Sequence, residues 1–236
     1  MSTFAQKRFW SSAQMVKLED GYGVELDGRS VRTPAKAMLC VPVAAWATGI
    51  AQEWEAQVDT IDPTSMPLTQ MANVAIDRVT DQRSEVAAML CAYGGSDLLC
   101  YRADAPQGLI DRQSQLWDPW LDWAASRFTA RLVVTQGIVP VDQPGESLAK
   151  LEAAVNTLDP FALTAFHDLV TLSGSLVLAL AVREEELAPA QAWDLSRLDE
   201  LWQIEQWGED AEAEQMAALK RQAFLRSAQV THWLKG

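Results

Sequence analysis

Between residues 14 and 40 apolar side chains alternate with polar ones, and beyond Pro42 they recur every three or four residues. No other feature constrains the fold as strongly. The first stretch reads as a β-meander of Gln14–Leu18, Tyr22–Leu26, Arg29–Arg32 and Ala37–Cys40. Asp20-Gly21 and Asp27-Gly28 fall between these segments, where residues tolerant of positive φ close tight hairpins. Pro42 suits a first helical turn, and Trp46, Ile50 and Trp54 then succeed it at i, i+4 and i+8, a stripe able to cover one face of a small sheet.

Asp62-Pro63 breaks the chain after this helix, and helical patterns then cover 67–79, 82–92, 107–117, 119–129, 146–158, 160–182, 189–207 and 210–233. Two short apolar runs, Asp97–Tyr101 and Arg131–Val134, are candidates for strands. Asp118-Pro119 and Asp159-Pro160 each place an acidic N-cap before a proline at the first helical position. The expected class is α+β. A small antiparallel β-rich N-terminal domain with a packed helix takes residues 1–65, its boundary falling between 60 and 80, and a larger α-helical domain takes 66–236.

At 236 residues the chain can bury a core without covalent staples. Its three cysteines, Cys40, Cys91 and Cys100, are odd in number, lack CxxC spacing and sit among apolar neighbours, as buried thiols of a reducing compartment do. No charged-then-apolar leader opens the sequence, and the longest apolar run, Leu176–Val182, is far below the ~20 residues that span a bilayer. Secretion and membrane insertion are not expected. A formal net charge of -13 makes nucleic acid and anionic membranes poor partners. Residues 183–214 carry eleven carboxylates against Arg183 and Arg197, so a partner of this region is expected to be basic.

The chemistry-bearing residue types do not assemble into a catalytic set. Gly21, Gly23 and Gly28 precede strands instead of a helix, which suits hairpins and not a phosphate cradle. Only His167 and His232 could serve a serine nucleophile, Ser173-Gly174-Ser175 lacks a nucleophile elbow, and Asp168 should point about 100° away from its neighbour His167 on a helix. Two distant histidines and scattered cysteines offer no metal site. A carboxylate pair of glycosidase type stays open, with nothing to select one pair over another. The expectation is a non-enzyme with no catalytic residues, metal, cofactor or small-molecule substrate; the alternatives are a carboxylate-based hydrolase and an adaptor for some other protein.

Ten tryptophans stand out. Trp46, Trp117 and Trp120 fall on apolar helical stripes and read as core. Drawn as one helix, 189–207 gathers Trp193, Ile204 and Trp207 on a strip with Glu200 planted among them. Such a helix either sits between two layers, with Glu200 paired to an internal arginine, or presents an aromatic and acidic stripe to a partner.

The string Asp199-Glu200-Leu201-Trp202-Gln203-Ile204-Glu205-Gln206-Trp207-Gly208 resembles a segment of the ATP synthase assembly factor 2 family. Glu53–Pro63 with Met66–Thr69 after it is similar to a second family segment, and Arg29–Pro34 and Leu99–Arg102 to two more, in the family's order and across almost the whole chain. The resemblance implies a β-rich domain joined to a helical one, no cofactor, and shielding of the unassembled alpha subunit of the F1-ATPase until the beta subunit replaces the chaperone. It implies weight on Asp199, Glu200 and Trp54. With Trp193, Gln203 and Trp207, these make up the expected partner-binding residues. Mitochondrial members carry a targeting leader, whereas this chain reaches Phe9-Trp10 almost at once, as expected of a bacterial cytoplasmic member.

Overall fold

The alternating N-terminal segments form a four-stranded antiparallel sheet of β1 (Ala13–Leu18), β2 (Gly21–Leu26), β3 (Arg29–Ser30) and β4 (Cys40–Val41). Its order is β1-β2-β3, with β4 also on β2. The register pairs Ala13 with Leu26 and Leu18 with Gly21. Asp27 and Gly28 make the β2–β3 turn at φ 47° and 78°, the left-handed region for which Asp-Gly is suited. Asp27 also accepts from the backbone N–H of Ser11 and Ser12, and these bonds hold its carboxyl below the ordinary range.

The computed structural model describes residues 7–137 and 139–236, which divide into two units. The first runs through Arg83 and takes in Asp159–Thr164 and Trp233–Gly236. Helix α1 (Ala44–Glu55) packs across β1 and β2 and buries Trp46 and Ile50 completely. The Trp46 indole donates to the Leu68 carbonyl at 3.1 Å and meets Phe161 edge-on at 5.9 Å. Glu53 of α1 accepts from the N–H groups of Leu68 and Thr69 and from the Thr69 hydroxyl, which fastens the first turn of α2 (Pro67–Val74). A π-helical turn at Ala75–Val79 and a non-helical Gln82 come next, the latter inside α3 (Thr80–Cys91).

The second unit comprises Ser84–Leu158 and Ala165–His232. Its elements are β5 (Tyr101–Arg102), α4 (Gln107–Phe128), β6 (Thr135–Gln136), α5 (Gly145–Val155), most of α6 (Pro160–Ser173), α7 (Leu176–Arg183), α8 (Pro189–Ser196), α9 (Leu198–Trp207) and most of α10 (Ala211–Lys235). The apolar run Leu176–Val182 becomes α7 and is buried on every side against α4 and α8, the fate of a helix with no polar face. Each such leucine contributes about 2 kcal/mol on leaving water. Asp97 is fully buried at the start of α7, accepting from the Ser175 hydroxyl and from the N–H groups of Leu99 and Val177. Burial pushes its carboxyl up to about 6 despite those donors.

Several expected boundaries are corrected. The pattern 160–182 is two helices, parted where Gly174 takes φ 68° and Ser175 caps α7 by accepting from Leu178 N–H. Pro119 lies inside α4 and not at a helix start, and Asp118 accepts from Arg102 at 2.7 Å instead of capping. Arg102 also stacks over Trp117, whose indole donates to the Leu195 carbonyl at 2.9 Å, so side-chain contacts carry the helix through the proline. Residues 131–134 are not a strand. The parallel pair is Tyr101–Arg102 with Thr135–Gln136, while Leu98–Cys100 is a 3-10 turn. Of the thiols only Cys100 is buried; Cys40 and Cys91 are half-exposed. Trp117 is buried as expected, whereas Trp120 is half-exposed against Trp123.

Candidate functional site

The acidic, tryptophan-rich segment folds as two helices, not one. The Ser196 hydroxyl bonds back to the Trp193 carbonyl at 2.7 Å, Arg197 leaves helical geometry at φ -114°, ψ 21°, and α9 restarts at Leu198. This break separates Trp193 from the strip drawn through Glu200, Ile204 and Trp207. Trp193 is 5% exposed and packs on Phe224 with ring centroids 5.7 Å apart. It belongs to the interior.

Within α9 the remaining strip survives, because Glu200, Ile204 and Trp207 lie at i, i+4 and i+7. The opposite face is fastened to α4. Asp199 accepts from the buried Gln113 amide at 2.7 Å, and the Arg112 guanidinium sits 4.7 Å over the Trp202 ring while pairing with Glu205 at 2.7 Å. That pairing lowers the Glu205 carboxyl and raises Arg112. Gly108 leaves room for Trp202, since a Cβ there would lie 2.9 Å from the indole edge. Only Leu198 of α9 is buried.

Gly208 ends α9 at φ 90°, and Asp210 opens α10 by accepting from Ala213 N–H at 2.9 Å. Between the two helices lies a groove of about 440 Å3. Ile204, Ala213, Ala217 and Trp207 form its apolar lining, and Glu200, Glu209, Asp210 and Glu214 ring it with negative charge against Arg197 alone. Trp207 is 79% exposed. Glu200 is exposed and takes part in no ion pair among the described residues, so the internal arginine partner is not found. Gln203 lines the same groove. Thus Glu200, Gln203 and Trp207 share one site, Asp199 braces it from behind, Trp193 lies inside, and Trp54 belongs to α1 of the first unit, half-buried and edge-on to Trp10 at 5.2 Å. Periodicity alone did not reveal the contribution of α10. The signal was Ala213 and Ala217 four residues apart, small enough to leave a furrow.

Outside this groove the two histidines pair with carboxylates among the described residues. The His167 ring does meet its neighbour, Nδ1 to Asp168 Oδ1 at 3.0 Å, which corrects the expectation that adjacent helical positions keep them apart. Rotamers bring the two tips together. Ser227 donates to Asp168 and not to His167, so no nucleophile and base are joined among the described residues. Among them, too, no group of three or more His, Cys, Asp or Glu is placed to hold a metal, and no helix is long and apolar enough to cross a membrane.

This architecture is that of known chaperones. The crystal structure of Atp12 from Paracoccus denitrificans superposes with a TM-score of 0.92 at 50% identity, covering 97% of this chain and 98% of that one. A putative chaperone from Agrobacterium tumefaciens gives 0.91 at 40% identity over 97% of this chain and 86% of its own. The mitochondrial protein atp12 of Schizosaccharomyces pombe is 24% identical over 220 residues, which is 87% of this chain and 75% of that relative. The profile of the ATP12 chaperone protein matches residues 7–125. The chain belongs to the ATP12 chaperone family, whose work is ATP synthase assembly.

Proposed function

We propose that this chain binds and shields the unassembled alpha subunit of the F1 sector in the cytoplasm of a bacterial cell, with no ATP hydrolysis, and that the α9–α10 groove is part of its grip. The observation that carries the reading is a large apolar side chain left in water beside unpaired acid. Trp207 stands 79% exposed on a groove whose rim holds four carboxylates and one arginine. An unassembled subunit exposes interface, commonly more than ~1,000 Å2, that aggregates unless covered. Covering it is an equilibrium event. Acid at the rim steers basic client surface into place, and tryptophan supplies contact that a later subunit can displace.

Glu200→Lys tests this directly. The side chain is exposed and bonded to nothing that the fold requires, so the melting temperature should stay at the wild-type value. Light scattering of purified alpha subunit, which the wild-type chaperone suppresses at equal molar ratio, should rise to the level seen without chaperone. Full suppression by the variant would remove the groove from the grip. Failure of the wild-type protein to suppress scattering at all would remove the alpha subunit as client.

A further inference from the structure

The first unit carries a cleft of the opposite electrical character. Phe9, Val31, Trp54 and Ile61 form its apolar wall, and Arg29 and Arg32 stand with them, in a volume of about 230 Å3 that no carboxylate lines. That absence is unusual in a chain of net charge -13. It arises from local sequence, since residues 7–36 hold six basic side chains against four acidic ones, of which Asp27 is committed to the N–H groups of Ser11 and Ser12.

The arginines of this unit do different jobs. Arg8 is spent on the fold: its guanidinium donates to the carbonyls of Trp10, Ser11, Glu55 and Gln57 and to the Glu55 carboxylate, and it stacks over Trp10 at 5.4 Å. The Arg32 guanidinium makes one bond among the described residues, to the Lys36 carbonyl at 2.9 Å. The Arg29 guanidinium makes no hydrogen bond or ion pair among the described residues. Guanidinium donors in a fixed fork suit a carboxylate, and here most of them have no partner among the described residues. The apolar wall is firmly held, because Phe9, Trp10 and Trp54 stack edge-on at 5.1 and 5.2 Å. Yet Phe9 is 57% exposed, and the Trp54 indole N–H is buried without an acceptor among the described residues. An aromatic ladder ending in water beside two under-used guanidinium groups is matched to a ligand that is apolar on one side and acidic on the other.

We propose that this cleft is a docking site for an acidic peptide segment of a protein partner, one that seats a bulky apolar side chain against Phe9 and Trp54 and a neighbouring carboxylate on Arg29 and Arg32. The volume falls below the roughly 300–1,000 Å3 of small-molecule sites, which fits one or two side chains of a peptide and not a metabolite. The site lies in a different unit from the acid-rimmed groove and takes ligands of the opposite charge, so it stands independently of the alpha-subunit reading.

The experiment titrates the intact protein calorimetrically with three pentapeptides: acetyl-Glu-Phe-Glu-Leu-Glu-amide, the same peptide with lysine for glutamate, and the same peptide with serine for phenylalanine and leucine. The first should bind and weaken with added salt, and the other two should bind at least about tenfold less well. The double variant Arg29→Glu, Arg32→Glu, at two exposed positions, should lose at least about tenfold for the first peptide, and Phe9→Ser should weaken it as well. Glu200→Lys should bind it as wild type does, which keeps this outcome separate from that of the scattering assay. Equal affinity of the double variant, or of the serine peptide, would overturn the proposal. So would sedimentation of the wild type, but not the double variant, with phosphatidylserine vesicles when the first peptide fails to bind, since the arginines would then serve a lipid surface.

Discussion

Helices α7 and α9 are of similar length and both rich in large apolar residues, yet one is buried along its entire apolar run and the other buries only Leu198. The difference lies in where polar residues fall. Leu176–Val182 has none, so no orientation of α7 leaves it content in water. In α9 every apolar residue has an acid or amide within one turn, and the helix is held at the surface by Asp199, Trp202 and Glu205 while Ile204 and Trp207 face the groove. Apolar content in this unit therefore has two fates, burial in α7 and exposure at the α9–α10 groove. Three substitutions separate them.

The largest effect belongs to the interior. Leu178→Ala removes a fully buried side chain from α7 and should cost roughly 3–5 kcal/mol in urea unfolding, with client protection unchanged at temperatures where the variant is folded. Asp97 tests the polar end of the same helix. Its carboxyl is raised from 3.8 to about 6 by burial, so its contribution to stability is fully present below about pH 4 and is lost as pH rises through 6. Asp97→Asn should flatten the fall in unfolding free energy over that range, by between about 1 and 3 kcal/mol relative to wild type. An unchanged slope would mean that the carboxyl ionises in the fold as it does in water. The smallest thermodynamic effect belongs to α9. Trp207→Ser should move stability by no more than about 0.5 kcal/mol while reducing suppression of alpha-subunit scattering. A large loss of stability would show that Trp207 packs, and the contrast with α7 would fail.

How much of this the sequence disclosed is best seen in one dipeptide used three times. Asp62-Pro63 and Asp159-Pro160 behave as their local chemistry dictates, each aspartate accepting from an N–H two or three residues on. Asp118-Pro119 does not, because Arg102, sixteen residues away, claims the carboxylate and α4 runs through the proline. Local signals decide where nothing distant competes. The sheet, its Asp-Gly turn and the α1 stripe were legible on those terms. The break at Arg197 was not, since it depends on a serine turning back to Trp193, and the strip drawn through 193, 200 and 207 assumed a straight helix. Glu200, Gln203 and Trp207 came together because all three fall beyond that break. The cleft at Phe9 was invisible to periodicity. It assembles an N-terminal segment, a strand and a helix whose register only folding supplies.

The fastening of α9 to α4 rests on polar and ring contacts. Arg112 is the central rivet, and it works through an exposed ion pair and a ring contact, while the Asp199–Gln113 bond is a single polar link. Bonds of this kind exchange with water at little net cost, in contrast to the leucines of α7. Hydrogen exchange of the α9 amides should therefore report opening at a free energy below that of global unfolding, while the α7 amides exchange only with the whole fold. The interior of this unit and its acid-rimmed surface helix thus rest on different kinds of contact, apolar burial for α7 and exposed polar links for α9.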